Sequence, residues 1–314
     1  MEFNFKRDIN KTVEMIEKSK EGKKITDPLY NKTFYAATVN HNSLYNQMSG
    51  SFSSFLGITG SMSSEFSAIN LGANNITCFD ISLPTFCYAY FQIASVLGLD
   101  YDEYIQFIFN HKEHRSFNFE TYQKIREYLP NINPMDVRKY YDVLYDYIGE
   151  EDFRKHYFMT LNNPKSYNVS YDIILSTMQE RNNFLDKESF YKLKSRLKTI
   201  KFTNLWMDIR EIPEFLYGQH YDKIYLSCAN HFIYDLYELK DLSLISDYIS
   251  LLEEFKRLLV NGGQMQASLF YGDHNKSFTP FEQYEMNKYR GLGYKEIIMK
   301  DSIMVDVAYV YKKC

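Results

Sequence analysis

The sequence predicts an α/β fold built on a doubly wound, mostly parallel seven-stranded sheet. A strand, tight loop, helix and strand follow one another over residues 52–82, and apolar segments alternate with helical ones again after residue 200. The stretch between them gives mainly helical signals. We therefore expect an N-terminal helical cap at 1–48, an α/β domain made of 49–98 and 200–314, and a helical insert at 99–199.

The first half of the sheet is predicted from one continuous segment. FSSFLGIT is apolar, GSMSSEF is small and polar, EFSAINLGA becomes helical, and NITCFDIS is apolar again. Two strands joined by one short helix cannot form a hairpin. They should therefore be parallel and connected by a right-handed crossover.

The cap and the insert are predicted from helical spacing. Behind Asp8, which we interpret as a helix N-cap, Ile9, Val13 and Ile16 recur at the interval of a helix face. A solvated face folded over the main domain is favoured, while contact between its lysines and a membrane surface stays open.

In the insert, one helix should open at Asn133-Pro134 and stop at Gly149, and another should begin near Asp186. Before them, a buried helix is expected over Leu83 to Leu97.

The second half of the sheet follows the insert. KFTNLWMDI, YDKIYLSCA and GQMQASLFY are predicted strands, and a helix at about 246–259 precedes the last of them and ends at Gly262-Gly263. The tail contains YKEIIMK and DSIMVDVAYVYKK, two extended segments without a helical period between them. They predict a closing antiparallel hairpin.

Composition limits the functional classes. The chain of 314 residues is 45% hydrophobic and 24% charged, as in globular proteins. It has neither an apolar run long enough to cross a membrane nor a secretory leader, so a cytoplasmic protein is expected. Its four cysteines lack metal-site or disulfide spacing, and no metal site is predicted. The net charge of −4 disfavours nucleic acid as a partner.

A candidate binding site lies where the first two strands end. Thr59, Gly60 and Ser61 follow the first strand, and Asp80 ends the second, twenty positions after Gly60. In a doubly wound sheet, this spacing places a glycine turn beside a carboxylate that can hold ribose hydroxyls. An ordinary strand-to-helix turn with a helix-capping acid is the alternative reading.

A nucleoside without phosphates suits this loop better than a dinucleotide. The loop lacks the three-glycine pattern that lets a pyrophosphate approach a helix N-terminus. After the third strand, Asp208 is placed to accept a hydrogen bond from an adenine amino group while Ile209 packs on the ring. These features predict S-adenosylmethionine as the cofactor.

The motifs also resemble those of a known family. ITGSMSSEFSAINLGANNITCFDIS, MDIREIP, YDKIYLSCANHF and LLVNGGQMQASLFY occur in the order and spacing found in S-adenosylmethionine-dependent transferases of the Rossmann-like methyltransferase fold. The long helical insert resembles more specifically the family that makes betaine lipids by moving a 3-amino-3-carboxypropyl group onto diacylglycerol. The resemblance implies transfer of a methyl or aminocarboxypropyl group to a small-molecule or lipid acceptor, bound by the insert.

The resemblance also implies residue roles. Thr59, Gly60 and Ser61 would line the methionine end, with Asp80 and Ile81 at the ribose and Asp208 and Ile209 at the adenine. Ser227 and Asn230 would contact the cofactor from a wall, 227–231, that faces the acceptor. His231 is the candidate catalytic base, because histidine titrates near neutrality, although a structural histidine at a strand end is an equal alternative. Tyr271 is a candidate acceptor contact, with a core aromatic as its alternative.

The chain departs from the family pattern at three positions. Met62 and Ser63 stand where such loops continue with glycine and an acid, and Cys228 stands where asparagine often follows the serine. Because the Met62 side chain could crowd the cofactor, a catalytically inactive binding or scaffold protein of the same fold is the alternative function.

Overall fold

A computed structural model describes most of the chain. The described residues are 3–21, 23, 27–30, 52–108, 118–132, 135–152, 176, 178–180, 182–227, 229–230, 242–271, 280–300 and 305–314. Among the described helices, none is both long and apolar enough to cross a membrane.

The described strands form one large sheet and one small ribbon. In chain order they are β1 (Ser54–Ile58), β2 (Asn75–Asp80), β3 (Asn131–Ile132), β4 (Met135–Asp136), β5 (Lys201–Trp206), β6 (Tyr221–Tyr225), β7 (Leu259–Tyr271), β8 (Lys295–Lys300) and β9 (Val305–Lys312). The ribbon is the antiparallel pair β3–β4. The other seven strands form the sheet.

The described helices follow the same order. They are α1 (Phe5–Lys20), α2 (Ser63–Leu71), α3 (Leu83–Gly98), α4 (Tyr101–Ile108), α5 (Phe119–Arg126), α6 (Val137–Asp152), α7 (Lys187–Arg196), α8 (Ile212–Phe215), α9 (Leu242–Arg257) and α10 (Pro280–Gly291). One 3₁₀ turn, Asn183–Leu185, precedes α7.

The sheet order confirms the predicted fold class. The strands lie in the order β5-β2-β1-β6-β7-β9-β8. The pairs β5–β2, β2–β1, β1–β6 and β6–β7 are parallel, whereas β9 runs antiparallel to both β7 and β8. From β1 the chain thus adds β2 and β5 on one side of the sheet, and it then returns to add β6 and β7 on the other side of β1. This makes a Rossmann-like α/β fold whose switch point lies between β1 and β6.

Both faces of the sheet are covered by apolar cores. Adjacent residues of β1 illustrate this, because Phe55 belongs to one core and Leu56 to the other, and neither is exposed. The first core collects side chains from α1 to α7, and the second from α8 to α10. Burial on both faces explains why β1 and β2 appear in the sequence as continuous apolar runs rather than alternating ones.

The N-terminal helix is present, but its cap differs from the prediction. Asn4 precedes α1, and its Oδ1 accepts a hydrogen bond from the Arg7 N–H at 3.1 Å. Asp8 lies one turn inside, where its Oδ2 accepts from the Asn4 N–H at 2.7 Å. The assignment of Asp8 as N-cap is therefore wrong, because the two side chains satisfy the helix end reciprocally. Asp8 is fully buried and also accepts a hydrogen bond from the Tyr30 hydroxyl at 2.6 Å.

The helix α7 begins next to Asp186, as predicted, and the Asp186 side chain caps it by accepting hydrogen bonds from the Glu188 and Ser189 N–H groups. Gly149 ends the regular part of α6 with a φ of 70°. Asn133 and Pro134, the predicted start of that helix, lie outside the described residues.

The boundary between α9 and β7 differs from the prediction. The helix spans Leu242–Arg257, and the strand already begins at Leu259. Gly262, predicted to end the helix, lies inside the strand with a φ of 79°. The pairing of β6 with β7 shifts between Tyr221 and Lys223, so the strand accommodates the glycine as an irregularity.

Candidate nucleoside-binding site

The loop after β1 forms a tight turn at the switch point. The Thr59 N–H continues the β1–β2 ladder by donating to Phe79 O at 2.9 Å, and the Met62 N–H closes the turn onto Thr59 O at 2.8 Å. Gly60 has a φ of 40° and Met62 a φ of 64°. A methionine at positive φ is strained by about 1 kcal/mol. The loop therefore has a glycine-like backbone even where the sequence has no glycine.

The side chains of this loop are largely withdrawn from solvent. Thr59 is 1% exposed, and Ser61 is 8% exposed, with its hydroxyl donating to the Ser63 hydroxyl at 2.9 Å. Met62 is fully buried and belongs to the first apolar core.

Asp80, the last residue of β2, lies beside this turn. Its Oδ1 accepts a hydrogen bond from the Ser82 N–H at 2.8 Å, and the N–H groups of Gly60 and Ile81 also donate to it. Burial outweighs these hydrogen bonds and raises the pKa of Asp80 to about 7. The adjacent Ile81 is fixed because its carbonyl accepts from the Trp206 indole N–H at 2.8 Å. The turn and the carboxyl thus meet as the sequence predicted, and the carboxyl can change charge near neutral pH.

Glu65 is a second buried carboxyl that the sequence analysis missed. It lies in the first turn of α2, is 0% exposed, and has no hydrogen-bond partner for either oxygen among the described residues. Burial raises its pKa well above the ordinary value and outweighs the opposing effect of its own backbone N–H, and the charge of Asp80 adds to the rise. It immediately follows the glycine loop, which is the one sequence signal that could have marked it.

Side-chain hydrogen bonds that involve Thr59, Cys78 and Asn204 connect β1, β2 and β5. Asn204 on β5 accepts hydrogen bonds from the Thr59 hydroxyl at 3.3 Å and the Cys78 thiol at 3.2 Å. Its own amide group donates to Phe86 O at 2.9 Å. These contacts fix the strand ends that present Asp80 and the loop.

Asp208 lies just beyond β5, but its carboxylate already has a partner. Arg210 reaches back with its guanidinium, at 3.0 Å to Oδ1 and 2.6 Å to Oδ2, and its N–H donates to Oδ1 at 2.8 Å. Burial acts to raise the pKa of Asp208, but these hydrogen bonds outweigh it and lower the pKa. Ile209 is partly buried against the second core. A ligand that approaches Asp208 therefore meets an ion pair whose arginine is 61% exposed.

The residues after β6 form the other side of the switch point. Ser227 has a φ of 49°, and its carbonyl accepts from the Ser268 N–H on β7 at 2.8 Å. Asn230 is fully buried, and its amide donates to Glu285 Oε1 on α10 at 2.8 Å. The Asn230 side chain is thus directed to α10, a contact that sequence reasoning did not anticipate.

The two predicted catalytic residues are described only in part. His231, like Cys228, lies outside the described residues. Tyr271 is the last residue of β7 and pairs with Val305 of β9. Among the described residues, no group of three or more histidine, cysteine, aspartate or glutamate side chains is arranged to hold a metal ion.

The donors and acceptors at this edge suit a nucleoside that carries a positive charge. Asp80 offers carboxylate oxygens where hydroxyl groups can donate, and the orphaned oxygens of Glu65 lack a hydrogen-bond donor or a cation. S-Adenosylmethionine has both features, because it has two ribose hydroxyls and a net positive charge, with an ammonium group and a sulfonium against one α-carboxylate.

Comparison of the sequence with protein-family models and with curated proteins finds no match. Among solved structures, a Streptococcus mutans protein described as an S-adenosylmethionine-dependent methyltransferase aligns with 88% of this chain at 11% identity and a TM-score of 0.36. This chain covers 50% of that protein, or half of its length.

Two further structures align over most of both chains. Ribosomal protein L11 methylase from Lactobacillus delbrueckii subsp. bulgaricus aligns with 87% of this chain and 76% of its own, at 10% identity and a TM-score of 0.36. The rRNA methyltransferase aviRa from Streptomyces viridochromogenes aligns with 91% and 87%, at 8% identity and a TM-score of 0.36. The fold assignment rests on the strand order and strand directions of this chain.

Proposed function

We propose that this protein is an S-adenosylmethionine-dependent transferase that moves a methyl or 3-amino-3-carboxypropyl group to a small-molecule or lipid acceptor. The observation that carries the proposal is the position of Asp80. Its buried carboxyl ends β2 beside the positive-φ turn after β1, at the switch point of a doubly wound sheet. This is the place where such folds hold ligands.

The electrostatics of Asp80 support a ligand that donates hydrogen bonds. In the free protein, burial holds its pKa at about 7, so the carboxyl is partly protonated at neutral pH. Hydroxyl donors favour the ionised form, so the nucleoside should bind more tightly as the pH rises through 7. The ring end of the nucleoside would extend toward Ile209, with Asp208 and Arg210 together offering an acceptor and a donor to the adenine edge.

The chemistry makes modest demands on side chains. When bound, S-adenosylmethionine supplies a carbon already activated by its sulfonium. The protein must hold that carbon in line with the acceptor and exclude water. The loop 59–62, closed by backbone hydrogen bonds, supplies the fixed geometry. His231 remains the proposed base for an acceptor that must lose a proton, and Tyr271 the proposed acceptor contact.

The helical insert is the proposed acceptor subdomain. In the described part, several of its aromatic side chains are exposed rather than buried: Phe119, Tyr128, Tyr147 and Tyr191. With a net charge of −4 for the chain, such a surface suits an apolar or small acceptor better than a polyanion.

A protein that binds the cofactor without turnover is the second candidate. The strained Met62 favours it, because methionine and Ser63 replace residues that such loops ordinarily use. The backbone of Met62 argues against this candidate, since it still has the left-handed conformation that a glycine would adopt in such a loop.

The test is calorimetric titration with S-adenosylmethionine and S-adenosylhomocysteine, followed by mass spectrometry of cofactor products. Asp80→Ala should weaken binding about 30-fold or more, because it removes charge-assisted hydrogen bonds. Asp102→Ala, which removes an exposed acid on α4, is the matched control and should bind as the unmodified protein does.

Each product identifies one function. S-Adenosylhomocysteine indicates methyl transfer, methylthioadenosine indicates aminocarboxypropyl transfer, and binding without breakdown indicates the second candidate. Absence of saturable binding at millimolar ligand, or equal binding by Asp80→Ala, contradicts the proposal.

A further inference from the structure

Burial of the Glu65 carboxyl without a hydrogen-bond partner lowers the stability of the fold. The Glu65 side chain is 0% exposed, and neither carboxyl oxygen has a partner among the described residues. A buried polar group without a hydrogen bond destabilises a protein by about 1–3 kcal/mol, and a buried charge by more. Among the described residues, the other acid with 0% exposure, Asp8, is bound by Asn4, Arg7 and Tyr30. The missing partners of Glu65 therefore point to a ligand.

The position of Glu65 is fixed by a glycine in the facing strand. A Cβ added to Gly57 of β1 would lie 2.7 Å from Glu65 Oε1 and 2.6 Å from the Phe55 ring. The carboxyl group thus lies against the backbone of β1, in space that any other residue at position 57 would occupy. Gly57 pairs with Cys78, and Ile58 pairs with Phe79. Gly57 lies two residues before Thr59, and Cys78 lies two residues before Asp80. Glu65, which lies against Gly57, is therefore close to the ends of both strands.

The charges that face Glu65 are negative. On β2, the charge of Asp80 raises the pKa of Glu65. The pKa of the buried Cys78 thiol is raised mainly by burial and also by the charge of Glu65. From β1, the facing residues Phe55 and Gly57 are uncharged. Among the described residues, no lysine or arginine forms an ion pair with Glu65. Such a site is complementary to a cation.

We propose that Glu65 is the counter-ion for the ammonium and sulfonium charges of S-adenosylmethionine. The inference rests on the proposed function and goes beyond it, because it assigns charge recognition to a helix residue rather than to the loop. Burial favours the form of this carboxyl that holds a proton in the free protein. When the cationic end of the ligand binds, Glu65 releases that proton to solvent and the carboxylate pairs with the positive charge.

The test measures proton release during binding. Titrations in two buffers of different ionisation enthalpy give the number of protons released for S-adenosylmethionine and for methylthioadenosine, a neutral nucleoside without the amino-acid end. Protons released by Asp80 are common to both ligands. S-Adenosylmethionine should therefore release up to one proton more than methylthioadenosine.

Glu65→Gln should remove this difference, weaken S-adenosylmethionine about tenfold or more, and change methylthioadenosine less than about twofold. Ser67→Ala is the matched control. It alters another fully buried side chain of α2 whose hydroxyl has no hydrogen-bond partner among the described residues, and it should behave as the unmodified protein. Glu65→Asp, which retains the charge, should restore part of the proton release.

The outcomes separate the two proposals. If methylthioadenosine binds in an Asp80-dependent way but Glu65→Gln leaves the affinity and proton release of S-adenosylmethionine unchanged, this inference is wrong and the proposed function stands. If no ligand binds the unmodified protein, the proposed function fails and this inference fails with it. Circular dichroism of each variant shows whether the fold is retained.

Discussion

Replacing Asp80 with asparagine should remove a defined part of the pH dependence of folding. Burial raises the pKa of Asp80 from 3.8 to about 7 in the folded protein. Between these values the folded state holds a proton that the unfolded chain has lost. The associated stabilisation is complete below about pH 4 and is lost as the pH rises through 7. Asparagine has no such proton, so its contribution does not vary with pH.

The expected magnitude follows from the two pKa values. Integrating the linkage relation from pH 5 to pH 7.5 gives a loss of about 2.5 kcal/mol in the free energy of unfolding from this group. The full difference between pKa 3.8 and about 7 corresponds to about 4 kcal/mol, of which part lies below pH 5. Asp80 is 8% exposed, so screening by solvent reduces these figures only modestly.

The assay is urea unfolding of both proteins at half-unit intervals over this range. All other titrating groups are common to the two proteins and cancel in the difference, except Glu65, which is coupled to Asp80. The comparison is therefore repeated in the Glu65→Gln background. If the difference between the free energies of the two proteins stays constant from pH 5 to 7.5, the assigned environment of Asp80 is wrong.

Two further predictions concern the stability of the fold, one through packing and one through a buried hydrogen bond. Gly57→Ala should destabilise the fold by about 1–3 kcal/mol, because the new methyl group would overlap two buried side chains. Gly291→Ala, at a helix end with open space, should be neutral or stabilising under the same urea assay. Tyr30→Phe should lower the free energy of unfolding by about 1–2 kcal/mol, since it removes a buried hydrogen bond to Asp8. Tyr217→Phe, at an 87% exposed position, is its control, and equal stabilities of the two variants would contradict the role given to Asp8.

The sheet was predictable because its central strands are buried on both faces. Such strands form short, uninterrupted apolar runs, and the helix between β1 and β2 is the connection that two parallel neighbouring strands require. The start of β7 was not predictable. Leu258 and Leu259 continue the apolar spacing of α9, and only the pairing with β6 decides that Leu259 belongs to the strand.

The candidate site was predictable in part for a similar local reason. Asp80 follows an apolar run, so its place at a strand end can be read from the chain. The partners of Asp208 and Asn230 could not be read in this way. Arg210 pairs with Asp208 through a local bend, and Glu285 approaches Asn230 from a helix 55 residues away. Glu65 was missed because a lone acid among serines is typical of a solvated helix face, whereas α2 is buried on nearly every side.

The two carboxyl groups at this edge also bear on which nucleosides the proposed site would accept. The N-terminal end of α2 would attract an anion, as it does in folds that bind a pyrophosphate. Here Glu65 lies in the first turn of that helix, and Asp80 lies beside the loop that leads into it. A pyrophosphate at this place would meet two groups that must either stay protonated or repel it. A ligand with hydroxyls and a positive charge instead favours the ionised state of both. Under the proposed function, the two carboxyl groups that are costly to bury at neutral pH would therefore favour a nucleoside cation over a dinucleotide.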